Sequence, residues 1–185
     1  SAGIEKHMEV SFFALNTLKD NHKSFNNLYP QVFIDTIGEG AGVFSRLIEL
    51  SNEPATQFLK GRVHSCKFSS AAHDDAGNFY KDATEQYTFL NMRAFAYWAI
   101  RDWLNPDNKI KAMLPPDQEL FKELTETKWF FRSDGRIQVE PKEDIKARIG
   151  WSPDKADALA NTFWPIPDVQ PTQHVSKAVE YSKLF

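Results

Sequence analysis

The sequence predicts a mixed fold, α/β or α+β, in which helices cover a central sheet. Three observations carry this expectation. A strand, a glycine turn and a helix follow one another over residues 31–50, which is half of a βαβ unit. Residues 128–140 carry a hairpin signal, because Ser133-Asp134-Gly135 separates two strand-like runs and Asp-Gly supplies the positive φ such turns need. Residues 90–104 form an aromatic-rich helical pattern, apolar on most sides, that needs cover on more than one face.

The elements follow in order. Over residues 5–21, Met8, Phe12, Leu15 and Leu18 recur at helical spacing. Asn26, Asn27 and Pro30 break the pattern. Gln31-Val32-Phe33-Ile34-Asp35 is a short apolar run ending on an acid, consistent with a buried strand. Residues 36–42, with glycines at 38, 40 and 42, read as a turn, and the helix after it places Val43, Leu47, Ile48 and Leu50 inward. A second strand near residues 62–67 completes a parallel crossover. Residues 69–83 are polar and read as a mobile surface loop. After the aromatic helix, Pro115-Pro116-Asp117 opens a short helix carrying Leu120, Phe121 and Leu124. Pro141 starts a helix through Arg148, and Ser152-Pro153 starts another through about Phe163. Pro165, Pro167 and Pro171 mark a linker, and residues 174–185 form a small helix or a loose end. The expected organisation is one domain over residues 1–164 and a linker and tail over 165–185.

Composition narrows the classes. A chain of 185 residues, 42% hydrophobic, has enough apolar material for one full core. Its 15 Phe, 5 Trp and 5 Tyr are unlike a disordered chain. A formal net charge of -3 excludes a strongly basic DNA-coating protein. An enzyme whose site is a cluster of acids remains compatible with it. The single cysteine, Cys66, excludes a disulfide framework or a cysteine zinc site within one chain. No apolar run approaches the roughly 18–20 residues that span a bilayer, and residues 1–7 lack a signal-peptide stretch. The expectation is a soluble protein of the cytoplasm that is not secreted and has no membrane partner.

Three acids stand apart. Asp35 ends an apolar strand before a glycine turn, and ligands of open α/β sheets gather outside the carboxyl ends of strands. Asp154 and Asp157 are spaced i and i+3, so they share one face of a helix start. If that start faces the end of the Asp35 strand, three carboxylates converge. Such a cluster repels itself, and a hard divalent cation offsets the repulsion. A simpler reading stands beside each. Asp35 can bond the amides of the next turn. Ser152 suits an N-cap, Pro153 the first helical position and Asp154 the helix dipole. Asp157 is deeper and sits among Ala156, Ala158 and Leu159, where an unpaired acid is unfavourable. His73-Asp74-Asp75 reads as solvated turn chemistry, His64 as a satisfied histidine, and the glycines at 38, 40 and 42 lack the Gly-Lys-Ser/Thr ending of a phosphate loop.

Two segments together resemble a known family. Val32-Phe33-Ile34-Asp35-Thr36-Ile37-Gly38-Glu39-Gly40-Ala41-Gly42 is similar to the second acidic motif of phage and prophage terminase large-subunit nucleases. Residues 142–159, ending Ser152-Pro153-Asp154-Lys155-Ala156-Asp157-Ala158-Leu159, resemble their C-terminal acidic motif. Asn91-Met92-Arg93-Ala94, followed by Tyr97-Trp98, is similar to the helix between. The match runs from about 31 to 164.

The resemblance implies an α/β, RNase H-like fold with a central mixed sheet flanked by helices. It implies an endonuclease that cuts double-stranded viral DNA during genome packaging, with two Mg²⁺ or Mn²⁺ ions. Asp35 would be the second catalytic acid, Asp154 a direct metal ligand, and Asp157 a further ligand or an orienter of the site. Lys155 and Arg148 are candidates for phosphate contacts, with a solvated helix face as the plainer reading. Implied partners are the terminase ATPase domain, the small terminase subunit and the portal protein, in the cytoplasm of a bacterial host. The family carries a first aspartate on an early strand, whereas here Glu5 and Glu9 are the only acids before Asp20 and the Met8–Leu18 pattern reads as helix. Two expectations follow: either that first strand is missing from this sequence, or an unusual acid takes its role. Two other readings are another RNase H-like nuclease or resolvase, and a packaging-motor docking module without catalysis.

Overall fold

Apolar residues every three or four positions wind residues 2–21 into helix α1, Ala2–Asn21. Its inner side buries Leu15 and Leu18, while Phe13 is exposed. The computed structural model describes residues 2–21 and 30–166. The Asn26-Asn27 break, Pro167, Pro171 and the expected terminal helix lie outside the described residues. Among the described residues no strand precedes Val32.

The βαβ expectation holds. Strand β1, Val32–Asp35, leads into helix α2, Gly40–Leu50, and strand β2, Val63–Cys66, lies parallel to β1 with Asp35 opposite Cys66. A 3₁₀ turn, Pro54–Leu59, carries the chain back. The helix starts three residues earlier than the expected turn over 36–42 allows, and the contact there is close: a Cβ at Gly40 would fall 1.8 Å from the backbone oxygen of Asp35. Only glycine lets the start of α2 approach the end of β1 so closely. Val43, Leu47 and Leu50 are buried as expected. Ile48 is not; it is exposed, because one residue past the buried Leu47 it stands about 100° further round the helix, towards solvent. The core here joins Leu15, Leu18, Val43, Leu47, Leu50, Leu59 and Val63.

The chain divides into two units, Ser1–Phe68 and Ser69–Phe185. In the second unit, helix α3, Met92–Leu104, is capped by Asn91, whose side chain accepts from the Ala94 amide. It buries Met92, Ala94, Ala96, Tyr97, Trp98 and Ile100, which is cover on more than one face. Helix α4, Gln118–Glu126, is capped by Asp117. Strands β3, Trp129–Phe131, and β4, Ile137–Val139, pair antiparallel. Their turn uses Gly135 at φ +80°, as the Asp-Gly signal requires. Helices α5, Lys142–Ile149, and α6, Asp154–Asn161, close the described chain. The core gathers Ala72, Phe89, Met92, Ala94, Trp98 and Ile137.

The architecture is mixed α/β. Its strands form two two-stranded sheets, β1-β2 and β3-β4, so a single central mixed sheet is not seen among the described residues. The polar segment 69–83, expected as a mobile surface loop, carries internal ties: Asp74 bonds Asn78, and Asp82 is buried and accepts from the amides of Thr84, Gln86 and Tyr87.

Candidate functional site

Asp154 and Asp157 sit in the first turn of α6. The sequence offered Ser152 as the cap of this helix. In the structure its hydroxyl bonds the Asp154 carboxylate instead, at 2.7 Å. The helix start is held from outside by Glu123 on α4. That side chain is fully buried, and its Oε2 accepts from the Ala156 amide at 2.7 Å while Oε1 accepts from the Trp151 indole at 3.1 Å. A carboxylate on the first-turn amides is favoured by the helix dipole.

The two aspartates meet at one point. Lys142 Nζ lies 3.3 Å from Asp154 Oδ1 and 2.8 Å from Asp157 Oδ2. Asp157 is nearly enclosed, and its Oδ1 accepts from the Tyr97 hydroxyl at 2.7 Å and from Arg93 Nε at 3.3 Å. Arg93 is itself held, giving Nη1 to the Glu140 backbone oxygen at 2.7 Å. The acid that looked uncomfortable among alanines is therefore fully partnered. The Ser152 hydroxyl draws the Asp154 carboxyl below its ordinary value; burial opposes this and Lys142 adds to it. Burial works against the Lys142 ammonium, but the Asp157 and Asp154 bonds outweigh it and raise the lysine above its usual value.

These residues fit a divalent cation. Two carboxylate oxygens already converge on one positive atom, and an all-oxygen donor set is what Mg²⁺ and Mn²⁺ accept. Two acids supply ligands for one ion; a second ion needs further donors. Among the described residues no group of three or more His, Cys, Asp or Glu is gathered as a ligand set. The structure thus brings Asp154 and Asp157 together. Asp35 belongs to the first unit, at the carboxyl end of the parallel pair, with its Oδ1 accepting from the Ile37 amide at 3.0 Å.

Both cations expected at phosphates are already paired. Lys155 Nζ lies 2.7 Å from Asp117 and 2.9 Å from Glu119. Arg148 bridges Glu140 and Glu126. The remaining signals are structural, as the plainer readings had them. Asp74 bonds the amide and side chain of Asn78, and His64 bonds Gln31 and stacks on Phe33. Sequence reasoning gave no role to Arg93, Tyr97, Lys142 or Glu123. A signal existed for the first two: an arginine and a tyrosine one turn apart interrupt an otherwise apolar helix.

No family model and no curated protein matches the chain. Among solved structures it is similar to a point variant of the nuclease domain of the large terminase subunit gp2 of bacterial virus Sf6 with manganese and beta-thujaplicinol. The identity is 25% and the TM-score 0.45, over 71% of this chain and 64% of that one, less than two thirds of its length. The nuclease domain of the same subunit without the variant is 23% identical with a TM-score of 0.43, over 69% and 73% of the two chains. A point variant with calcium is 24% identical with a TM-score of 0.40, over 66% and 70%. All three come from the large terminase subunit of a bacterial virus, and the first two are its nuclease domain.

Proposed function

We propose that the chain is a metal-dependent endonuclease domain that cuts double-stranded viral DNA during genome packaging, by two-ion phosphodiester hydrolysis. The observation that carries the proposal is the convergence of Asp154 Oδ1 and Asp157 Oδ2 on one cationic atom, within the motif that resembles the terminase C-terminal acidic motif. A bound divalent ion polarises a phosphoryl oxygen and lowers the pKa of water. Asp154 and Asp157 would hold such an ion, and Lys142 balances their charge when it is elsewhere. Asp35 enters as a further acid from its motif and its place at a strand end. Hydrolysis joins a water oxygen to phosphorus, breaks the bond to the 3′-oxygen and leaves that oxygen protonated.

The accompanying fold proposal is RNase H-like, supported by the parallel β1-α2-β2 unit with an acid at its carboxyl edge. Lys155 and Arg148 reach DNA phosphates in this proposal only by giving up part of their acid partners. The proposed partners are double-stranded DNA, the ATPase motor, the small subunit and the portal, in the cytoplasm of a bacterial host. No described helix is long and apolar enough to cross a membrane.

A second reading, a docking module without catalysis, is favoured by the half-exposed aromatics Trp129, Phe130 and Phe131 on β3. Plasmid cleavage separates the two. Nicking or linearisation that needs Mg²⁺ or Mn²⁺ and disappears in Asp154→Ala supports the nuclease. A folded chain that leaves plasmid intact at every metal concentration supports the docking module.

A further inference from the structure

Asp157 is held asymmetrically. Its Oδ1 takes two hydrogen bonds, from Tyr97 and Arg93, and its Oδ2 faces the atom that Asp154 also reaches. The two donors stand one turn apart on α3, and each makes a further contact. Tyr97 is buried, the Arg93 guanidinium lies 4.8 Å from the centre of its ring, and Arg93 is anchored to the Glu140 backbone. Neither can leave Oδ1 without abandoning a second contact. Recruiting Oδ1 to a metal would strand buried donors, which is costly.

We propose that Tyr97 and Arg93 are positioning residues that restrict Asp157 to one ligand oxygen, Oδ2, and thereby favour Mg²⁺ and Mn²⁺ over Ca²⁺. The inference rests on the cation-site reading above. The physical reason is coordination demand. Ca²⁺ takes six to eight oxygens and readily uses both oxygens of a carboxylate, whereas Mg²⁺ prefers a compact octahedron of single oxygens. A carboxylate with one oxygen already engaged serves the smaller ion better. If the Tyr97–Asp157 bond served only to staple α3 to α6, its loss would lower stability and leave ion preference unchanged.

The test is calorimetric titration of the full chain with Mn²⁺ and with Ca²⁺, for wild type, Tyr97→Phe, Arg93→Lys and Asp157→Ala. In Tyr97→Phe the Mn²⁺ affinity falls about tenfold and the Ca²⁺ affinity falls less, so the preference for Mn²⁺ shrinks. Arg93→Lys shifts the preference the same way and decides the matter if Tyr97→Phe fails to fold by circular dichroism. An unchanged Mn²⁺-to-Ca²⁺ ratio in the folded variants, with binding still lost in Asp157→Ala, overturns the positioning role and leaves the cation site standing. Wild-type binding that persists in Asp157→Ala overturns the cation site itself and the positioning role with it.

Discussion

The Tyr97 hydroxyl donates to Asp157 Oδ1 at 2.7 Å, tying the middle of α3 to the first turn of α6. Burial, and then the negative charge of Asp157, hold the phenol well above its ordinary pKa, so it stays a donor. Tyr97→Phe keeps the ring and its packing but removes the bond to a charged acceptor. The expected cost is about 1.5–3 kcal/mol, read from urea unfolding. A variant as stable as wild type would show that the bond adds nothing to the fold.

Glu123 is the outside cap of α6. With its carboxylate gone, the Ala156 amide and the Trp151 indole both lose their acceptor. Glu123→Ala should destabilise the second unit by about 2–4 kcal/mol, with the loss of buried packing added to the lost cap. The accompanying signal is a change in tryptophan fluorescence. Because the cap holds the turn that carries Asp154 and Asp157, Mn²⁺ affinity should fall as well.

Gly40→Ala reverses a common rule. Glycine to alanine inside a helix usually stabilises by about 1 kcal/mol. Here the new Cβ meets the Asp35 carbonyl at 1.8 Å, so β1 or α2 must shift. The expected net effect is destabilisation of about 1–3 kcal/mol, measured by thermal melting. A gain in melting temperature would contradict the described packing of α2 on β1.

Glu140 makes the acid limb testable. Burial pushes its carboxyl up, but the Arg148 ion pair and the Lys128 amide outweigh burial and leave it below its ordinary 4.5. A depressed folded value means the unfolded state binds protons first. This stability is therefore present above about pH 4.5 and is lost as pH falls through the lower folded value. Melting temperatures followed from neutral to about pH 3 should fall more steeply for wild type than for Glu140→Gln. Equal slopes would rule out this pair as a source of acid sensitivity.

Much of the fold was legible because the signals are local. An apolar run ending at Asp35, Asp-Gly at 134–135 and proline or polar residues before α4 and α5 each act over a few residues. The Asp154–Asp157 pair was legible for the same reason, as a spacing on one helix face. Long-range contacts were not. Nothing near Lys142 in the chain indicates that it reaches two aspartates twelve and fifteen positions on. Glu123 looks like a surface acid until α6 is laid over it, and Ser152 looks like a cap until its hydroxyl turns to Asp154. The single central sheet was expected from the mixed order of strands and helices as well as from the family resemblance, and strand pairing over long separations is what a local pattern leaves open. The exposure of Ile48 is a smaller case, where helical spacing alone placed it one residue too far round.

The central claim is that the Asp154–Asp157 pair holds a divalent cation. Substoichiometric Mn²⁺ added to isotope-labelled protein broadens the amide signals nearest the ion. The account predicts that Tyr97, Lys142, Asp154 and Asp157 broaden first and recover when a chelator is added. Signals there that stay sharp while others, such as those of Asp74 and Asp75, broaden would place the cation elsewhere and contradict it.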